Sequence, residues 1–433
     1  MLRLGLLLLL LGLVSLVTPG PSRAEEPPGL DSLFAAPALG LPALEGAVLQ
    51  RNPSLAAMRA AWRATESRAD RVGAWEDPRV EGTIAPRSFG SSTVDPGFSV
   101  QISQAIPLFG QRSLMGKATR AMARSMGDDY RGMRLEILRT ARELYFQLYL
   151  TARSAEVNRE LAGLVEQFRR VALQKYAAGT AGQQDALQAE LEAAMLDHQI
   201  VAVGRTRREI QARLRALLHD DSMRDLPDPP RDLPHMEHDL ADTTFDSALG
   251  NRPELRARRA AIEARRMEIA AAGRTRLPEL TVMARYDRFM EEPEWRTVVG
   301  AGITLPIWFG KTGAGLREAR WELRRAEQEE LAVHDSIRAE VEVARSRVHE
   351  TSHELSIIES RVVPASERAL ASVRAGYEAN RSDFLALLTA ERDLARARLD
   401  RFQSIAEVHM ALADLERAVG LEPEGVKEPE ESR

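Results

Sequence analysis

The chain has no cysteine in its 433 residues. Disulfides and thiol chemistry are therefore excluded, as is a lipid anchor on a processed N-terminal cysteine. Aromatic residues make up only 5%. Ala, Arg, Glu and Leu abound instead, which is the bias of long packed helices. Charge of one sign is also missing. The formal net charge is −5, and loss of Arg3 and Arg23 with the segment described next takes it to −7. A mildly acidic chain has no electrostatic reason to bind nucleic acid. Long apolar runs are absent, with one exception from Leu4 to Val17. A single Arg precedes that run and Ser22-Arg23-Ala24 follows it, so residues 1–24 read as a secretory signal peptide. The other reading, an N-terminal membrane anchor, needs a longer run. No transmembrane helix is expected elsewhere.

What the chain does have is a duplication. Arg51-Asn52-Pro53-Ser54-Leu55 returns as Asn251-Arg252-Pro253-Glu254-Leu255. Ala105-Ile106-Pro107-Leu108-Phe109-Gly110 returns as Leu305-Pro306-Ile307-Trp308-Phe309-Gly310. Tyr176 and Glu190 return as Tyr377 and Glu391. The offset is 200 between Pro53 and Pro253 and between Gly110 and Gly310, and 201 between the tyrosines. So long a period is not a solenoid; each unit is a whole structural module. The modules are expected over 41–219 and 243–420. Residues 25–40 form an N-terminal extension. The Pro- and Asp-rich stretch 220–242 reads as a linker rather than a core element, and the acidic stretch 421–433 as a disordered tail.

Each module has the same order. A helix is expected over 41–75 and again over 243–276, with Pro53 or Pro253 tolerated near its start and Pro78 or Pro278 ending it. Two strands follow, about 79–86 and 97–106, then about 279–290 and 296–305. Val80, Gly82 and Ile84 alternate with Glu81 and Thr83; Phe98, Val100 and Ile102 alternate with Ser99, Gln101 and Ser103, so one face is apolar and one polar. A very long helix comes next, about 111–178 and 311–379. Some 65 residues make about 100 Å. Pro364 is expected to split or kink the second copy. After short breaks at Gly179-Thr180-Ala181-Gly182 and Asn380-Arg381-Ser382-Asp383, a helix returns to about 218 and 419. Its apolar positions, Leu196, Ile200, Val203, Ile210, Leu214 and Leu217 in one copy, Ile405, Val408, Leu412, Leu415 and Val419 in the other, step like a coiled-coil seam.

The expected fold is mostly α with a small β part. Four strands cannot close a transmembrane barrel, which needs about eight or more. Strands near ten residues long do suit a tilted bilayer crossing. If they insert, several chains must pool them; three would give twelve strands and a pseudo-sixfold helical tube below. A small soluble sheet packed on helices is the alternative that pattern leaves open.

The element order, the Asn-Pro near the start, the strand ending in Ile106-Pro107-Leu108-Phe109-Gly110, and the turn Tyr176…Gly179-Thr180…Asp185-Ala186-Leu187-Gln188-Ala189-Glu190 together resemble TolC-type outer-membrane efflux proteins. The likeness is greatest to the heavy-metal branch, the CzcC- and CusC-like proteins, and covers about 41–421. It implies a homotrimer with a twelve-stranded β-barrel in the outer membrane lipid and an α-helical barrel crossing the periplasm. It also implies a periplasmic adaptor (a membrane fusion protein) and an inner-membrane RND-type pump as partners, and a passive exit duct for heavy-metal cations, with no catalysis and no cofactor. Carried over by position, the breaks at Gly179–Gly182 and Asn380–Asp383 are the periplasmic tips, which form the iris and the adaptor dock. Tyr176, Gly179, Thr180, Gly182, Asp185, Tyr377, Asn380, Arg381 and Asp383 are the candidate tip residues. Asp185 and Asp383 are candidates for acidic rings, or for ordinary helix N-terminal charges or caps. The aspartate pair that lines the constriction in some relatives falls here on Ala386 and Thr389. Pro107, Gly110, Pro306 and Gly310 are the candidate strand-to-helix turns.

Other features carry less. Gly310-Lys311-Thr312 resembles the end of a phosphate loop, but position 305 is Leu where that pattern needs Gly. His349 and His353 stand at i, i+4 beside Glu350 and Glu354, and His235 and His238 flank Met236. These are candidate metal ligands or solvated surface residues. A soluble periplasmic scaffold or pump adaptor is the competing function class. Adaptors carry one helical hairpin in a small β-domain, whereas two hairpins and four amphipathic strands are expected here.

Overall fold

The computed structural model describes residues 30–90, 96–179, 182–233, 245–290, 292–379 and 381–422. The signal peptide, the tail from 423, His235, His238, Thr180 and Asn380 lie outside the described residues. The first module holds α1 (Asp31–Ala35), α2 (Leu41–Arg51), α3 (Pro53–Gly73), β1 (Arg79–Ile84), β2 (Phe98–Ile106), α4 (Gln111–Ala177) and α5 (Gln183–Leu218). The second holds α6 (Phe245–Asn251), α7 (Pro253–Arg274), β3 (Glu279–Asp287), β4 (Thr297–Thr304), α8 (Phe309–Ile357), α9 (Val363–Glu378) and α10 (Phe384–Val419). The 67 residues of α4 reach about 100 Å at 1.5 Å per residue.

The first helix of each module is not continuous, contrary to expectation. It breaks at Asn52 and at Arg252, both in extended backbone. The proline that follows disfavours helical geometry in the residue before it. The break is a splice between helices distant in sequence. Asn52 Oδ1 accepts from the Ser54 and Leu55 amides at 3.0 and 3.2 Å, capping α3, while Nδ2 donates to the Leu217 carbonyl at 3.2 Å. In the second module Arg252 Nη1 donates to the Ala418 carbonyl at 2.9 Å, and Nε donates to Glu254 at 3.0 Å. Thus α5 runs end to end into α3, and α10 into α7. Asn52 satisfies both amides and a carbonyl at the first joint, whereas Arg252, a donor only, meets carbonyls at the second and leaves α7 without a side-chain cap. Gly420 closes the second joint at φ +77°; a Cβ there would stand 2.9 Å from the Asn251 carbonyl carbon.

The helices lie side by side as an arc. The joined α3 and α5 pack on α4, α4 packs on the joined α7 and α10, and these pack on α8 and α9. The last pair is where the repeat offset changes. A π-helical turn, Ile358–Val362, ends two residues before Pro364, so the expected kink is a widened turn. A widened turn absorbs one extra residue without ending the helix, which takes the offset from 200 to 201.

The largest core cluster surrounds the middle of α4, where Leu144, Tyr145, Leu148 and Tyr149 meet Leu39, Leu44, Val48, Leu214 and Leu226. The described part of the stretch expected as a linker therefore contributes a residue to the core, although half of it is exposed. Leu226 is buried, and Gln211 meets its backbone twice, its Nε2 donating to the Leu226 carbonyl and its Oε1 accepting from the Leu226 amide, both at 2.9 Å. Tyr145 donates to the Leu39 carbonyl at 3.0 Å, and Leu39 donates to the Asp228 carbonyl at 3.0 Å. The segments before α3 and after α5 thus brace the helical body at mid-height.

The four strands form one antiparallel sheet in the order β1-β2-β3-β4. The central pairing, β2 with β3, joins the two modules.

Candidate functional site

Register decides which side chains share a face of the sheet. Val80 pairs with Ile102, Ile84 with Phe98, Val100 with Tyr286 and Ile102 with Ala284. Ala284 pairs with Val299 and Leu280 with Ile303. One face across all four strands therefore carries Val80, Ile84, Val100, Ile102, Leu280, Val282, Tyr286, Val299 and Ile303. The other carries Arg79, Glu81, Thr83, Ser99, Gln101, Ser103, Thr281 and Arg285. Among the described residues no element covers the apolar face: Val299 is 79% exposed, Val80 66% and Ile303 64%. So large an exposed apolar patch marks a membrane or a partner. Among the described residues no helix is long and apolar enough to cross a membrane.

Exposed aromatics flank this sheet at both ends. Phe89, Phe289 and Trp295 are exposed beyond the hairpin ends, and Trp75, Phe109, Trp308 and Phe309 at the helical end. Two such belts are the interfacial pattern of membrane proteins.

At the helical end the two strand-to-helix turns differ. Gly110 adopts φ +69° and caps α4, after a tight turn in which Leu108 donates to the Ile106 carbonyl at 2.9 Å. Gly310 has no positive φ and lies inside the first turn of α8. The second copy has one more residue between Pro306 and Gly310 than the first has between Pro107 and Gly110. The helix therefore starts at Phe309, and residues 305–308 make the turn. Pro107 and Pro306 line one recess with Arg274, whose Nη1 donates to the Phe109 carbonyl at 2.8 Å.

At the far end of the helical body the two hairpin tips lie together. Gly179 takes φ +67° and donates to the Tyr176 carbonyl at 2.9 Å. Lys175 Nζ donates to the Tyr377 hydroxyl at 3.0 Å and stands 4.5 Å from the centre of its ring. Tyr377 is part-buried, with Phe168 and Phe384 packed nearby, while Tyr176 is exposed. Arg381 donates its amide to the Gly376 carbonyl at 2.7 Å. Asp383 is the N-cap of α10, its Oδ1 accepting from the Ala386 amide at 2.8 Å. Asp185 is half-buried in the first turn of α5, which starts after Gly182. An ion pair also crosses between the hairpins, Arg392 meeting Glu192 at 3.2 Å, and within the second hairpin Arg374 meets the buried Glu391 at 2.6 Å. Asp383 and Asp393 share a groove between α9 and α10 with Ala386 and Thr389. Asp393 escaped the sequence reading. Its signal was the helical spacing, one turn beyond Thr389.

The spliced joints carry a further ion-pair network that no motif announced. Arg142 is held between Glu45 and Glu416, all three buried. Arg139 joins Glu136 and Asp414, and Arg417 joins Glu136 and Glu340. Burial raises the Glu136 carboxyl, but hydrogen bonds and charge from Arg139 and Arg417 more than offset this and hold it below the usual carboxylate range. Glu340 is likewise raised by burial and carried below its usual value by Arg252 and Arg417. Burial pushes the Tyr145 hydroxyl up to about 12.

The sequence profile of the outer membrane efflux protein family matches residues 44–219 and 244–421. The chain belongs to this family. Over 172 residues it is 26% identical to the cobalt-zinc-cadmium resistance protein CzcC of Cupriavidus metallidurans; the stretch is 40% of this chain and 41% of that relative. The fold matches the outer-membrane channel OprN with a TM-score of 0.76, at 20% identity, covering 88% of this chain and 89% of that one. It matches CusC with a TM-score of 0.76, at 16% identity, over 92% and 96%. It matches the open state of the Neisseria gonorrhoeae MtrE channel with a TM-score of 0.71, at 21% identity, over 89% of each. At such identities the likeness is one of fold. Membership places the sheet in the outer membrane and the helical body in the periplasm.

Proposed function

We propose that three copies of this chain form the passive exit duct of a tripartite efflux system. The observation that carries this reading is the four-stranded sheet with one exposed apolar face and, among the described residues, no pairing on the outer edges of β1 and β4. Unpaired strand edges in hydrocarbon cost several kcal/mol per polar group. Joining β4 of one copy to β1 of the next removes every edge, and three copies give twelve strands. The polar face then lines the bore, and the arc of helices closes into a tube below.

The tips at Tyr176–Asp185 and Tyr377–Asp383 are the proposed gate and adaptor dock. Asp383 and Asp393 lie ten residues apart on α10, so the symmetry repeats them as carboxylates at two levels about 15 Å apart, at each of which focused negative potential favours cations. The proposed partners are a periplasmic adaptor and an inner-membrane RND-type pump. Heavy-metal cations are the proposed cargo, on the likeness to CzcC.

Planar-bilayer recording of the purified protein tests this. Stepwise conductance is expected, with cation preference reduced in the D383N/D393N double variant. A protein that stays in the soluble periplasmic fraction and gives no conductance contradicts the reading. Unchanged conductance and efflux on substituting Gly179 or Asp185 would count against the tip assignment alone.

A further inference from the structure

Residues 349–353 read His-Glu-Thr-Ser-His, two histidines one turn apart on α8. This spacing sets their Cβ atoms about 6 Å apart on one face, close enough for both imidazoles to reach one cation. Both are exposed. The core side of α8 carries Ile337, Val341, Ala344 and Thr351, and helical periodicity turns the histidines to the opposite side. Among the described residues of a single chain no third His, Asp or Glu completes a site.

The duplication indicates what stands across from them. His349 and His353 follow Tyr149 and Arg153 of α4 by 200 residues. At that level α4 faces α10: Tyr149 meets Phe402 edge to face at 6.2 Å, and Glu160 meets Arg398 at 3.7 Å. In a closed ring α8 meets α5 of the next copy as α4 meets α10. Moving the α4 members on by 200 and the α10 members back by 201 turns these pairs into His349 with Val201 and Ser360 with Asp197. The helices are antiparallel, so His353 comes level with His198, which is also exposed. The same register sets Met195 beside Ile357 and Leu191 beside Val362. All four are exposed apolar side chains in the single chain, and each pair would cover its members.

We propose that His349 and His353, together with His198 of a neighbouring copy, bind one divalent cation of the zinc or cobalt type and clasp α8 to α5 across the subunit boundary. Three neutral imidazoles suit such a borderline cation and leave its fourth position to water. A cation held only by the assembled state stabilises that state. The inference rests on the trimeric reading above.

The test uses the full-length protein in detergent, stripped of metal. Native mass spectrometry first counts the subunits; calorimetry with Co(II) then measures binding, and absorption spectroscopy reports the imidazole ligands. One ion per subunit is expected, with a rise in the dissociation temperature of the trimer. H349A and H353A should abolish binding, and H198A should weaken it by roughly tenfold or more, all three remaining trimeric without metal. A trimer whose Co(II) affinity is untouched by H349A overturns the site. One affected by H349A and H353A but not by H198A overturns the cross-subunit ligand. A protein that is not trimeric without metal overturns the quaternary reading, and the clasp with it.

Discussion

The returning helices α5 and α10 have 36 residues each and occupy the same place in their modules, yet they are packed differently. Seventeen residues of α10 are buried and only eight of α5. The long helices show the same contrast: 26 buried residues in α4 against seven in its counterpart, α8, the π turn and α9 together. Position in the arc explains it. α4 and α10 have neighbours on both sides, whereas α5 and α8 are its two ends. The clearest pair is Leu388 at 3% exposure and its counterpart Leu187 at 55%. One sequence position is core in one copy and surface in the other, and a ring of copies would equalise them.

That comparison can be broken at matched positions. Leu388→Ala should destabilise the fold by about 2–5 kcal/mol, as a cavity in a packed core does. Leu187→Ala should leave the stability of the subunit almost unchanged and weaken the trimer instead. Urea unfolding beside subunit cross-linking separates the two outcomes, and equal losses of subunit stability would remove the distinction between edge and interior.

The sheet offers the same contrast between its faces. Ile102→Arg places a charge on the apolar face and should cost about 2–4 kcal/mol if that residue meets lipid near the bilayer midplane. Gln101→Arg, its neighbour on the polar face, should insert normally. Outer-membrane fractionation and heat-modifiable mobility are the measurements. Normal insertion of I102R would mean that the apolar face does not meet lipid.

A smaller effect sharpens the comparison between the two joints. Asn52→Ala removes a helix cap and a carbonyl donor together and should cost about 1 kcal/mol, on the scale of cap losses. The smallest concerns acid. Glu136 and Glu340 titrate below their usual 4.5 in the folded chain. The stability they contribute is complete above that value and is lost as pH falls through the lowered one. E136Q and E340Q should therefore flatten the acid side of the stability profile; both groups are partly exposed, so the change is modest.

The duplication, the element order and the alternating strands were legible because each is a local pattern or a repeat of one. The tip assignment comes from resemblance alone; of the two readings left open for Asp383, the structure shows the helix cap. The splice at Asn52 was hidden because its partner, the Leu217 carbonyl, is 165 residues away. The β2–β3 pairing that joins the modules is equally non-local. The braced stretch around Leu226 read as a linker because its Pro and Asp residues hide one buried Leu held by Gln211. Gly310 looked like Gly110 by alignment, yet one added residue moved the helix start past it. The π turn had left a trace, the offset of 201 after Pro364 against 200 before it.

The central claim is that the exposed edges of one chain are completed by two others. Native mass spectrometry of the detergent-extracted protein addresses it most directly. Three copies per particle, dispersing only when detergent is withdrawn, is the predicted result. A single copy, stable and soluble in buffer without detergent, would contradict it.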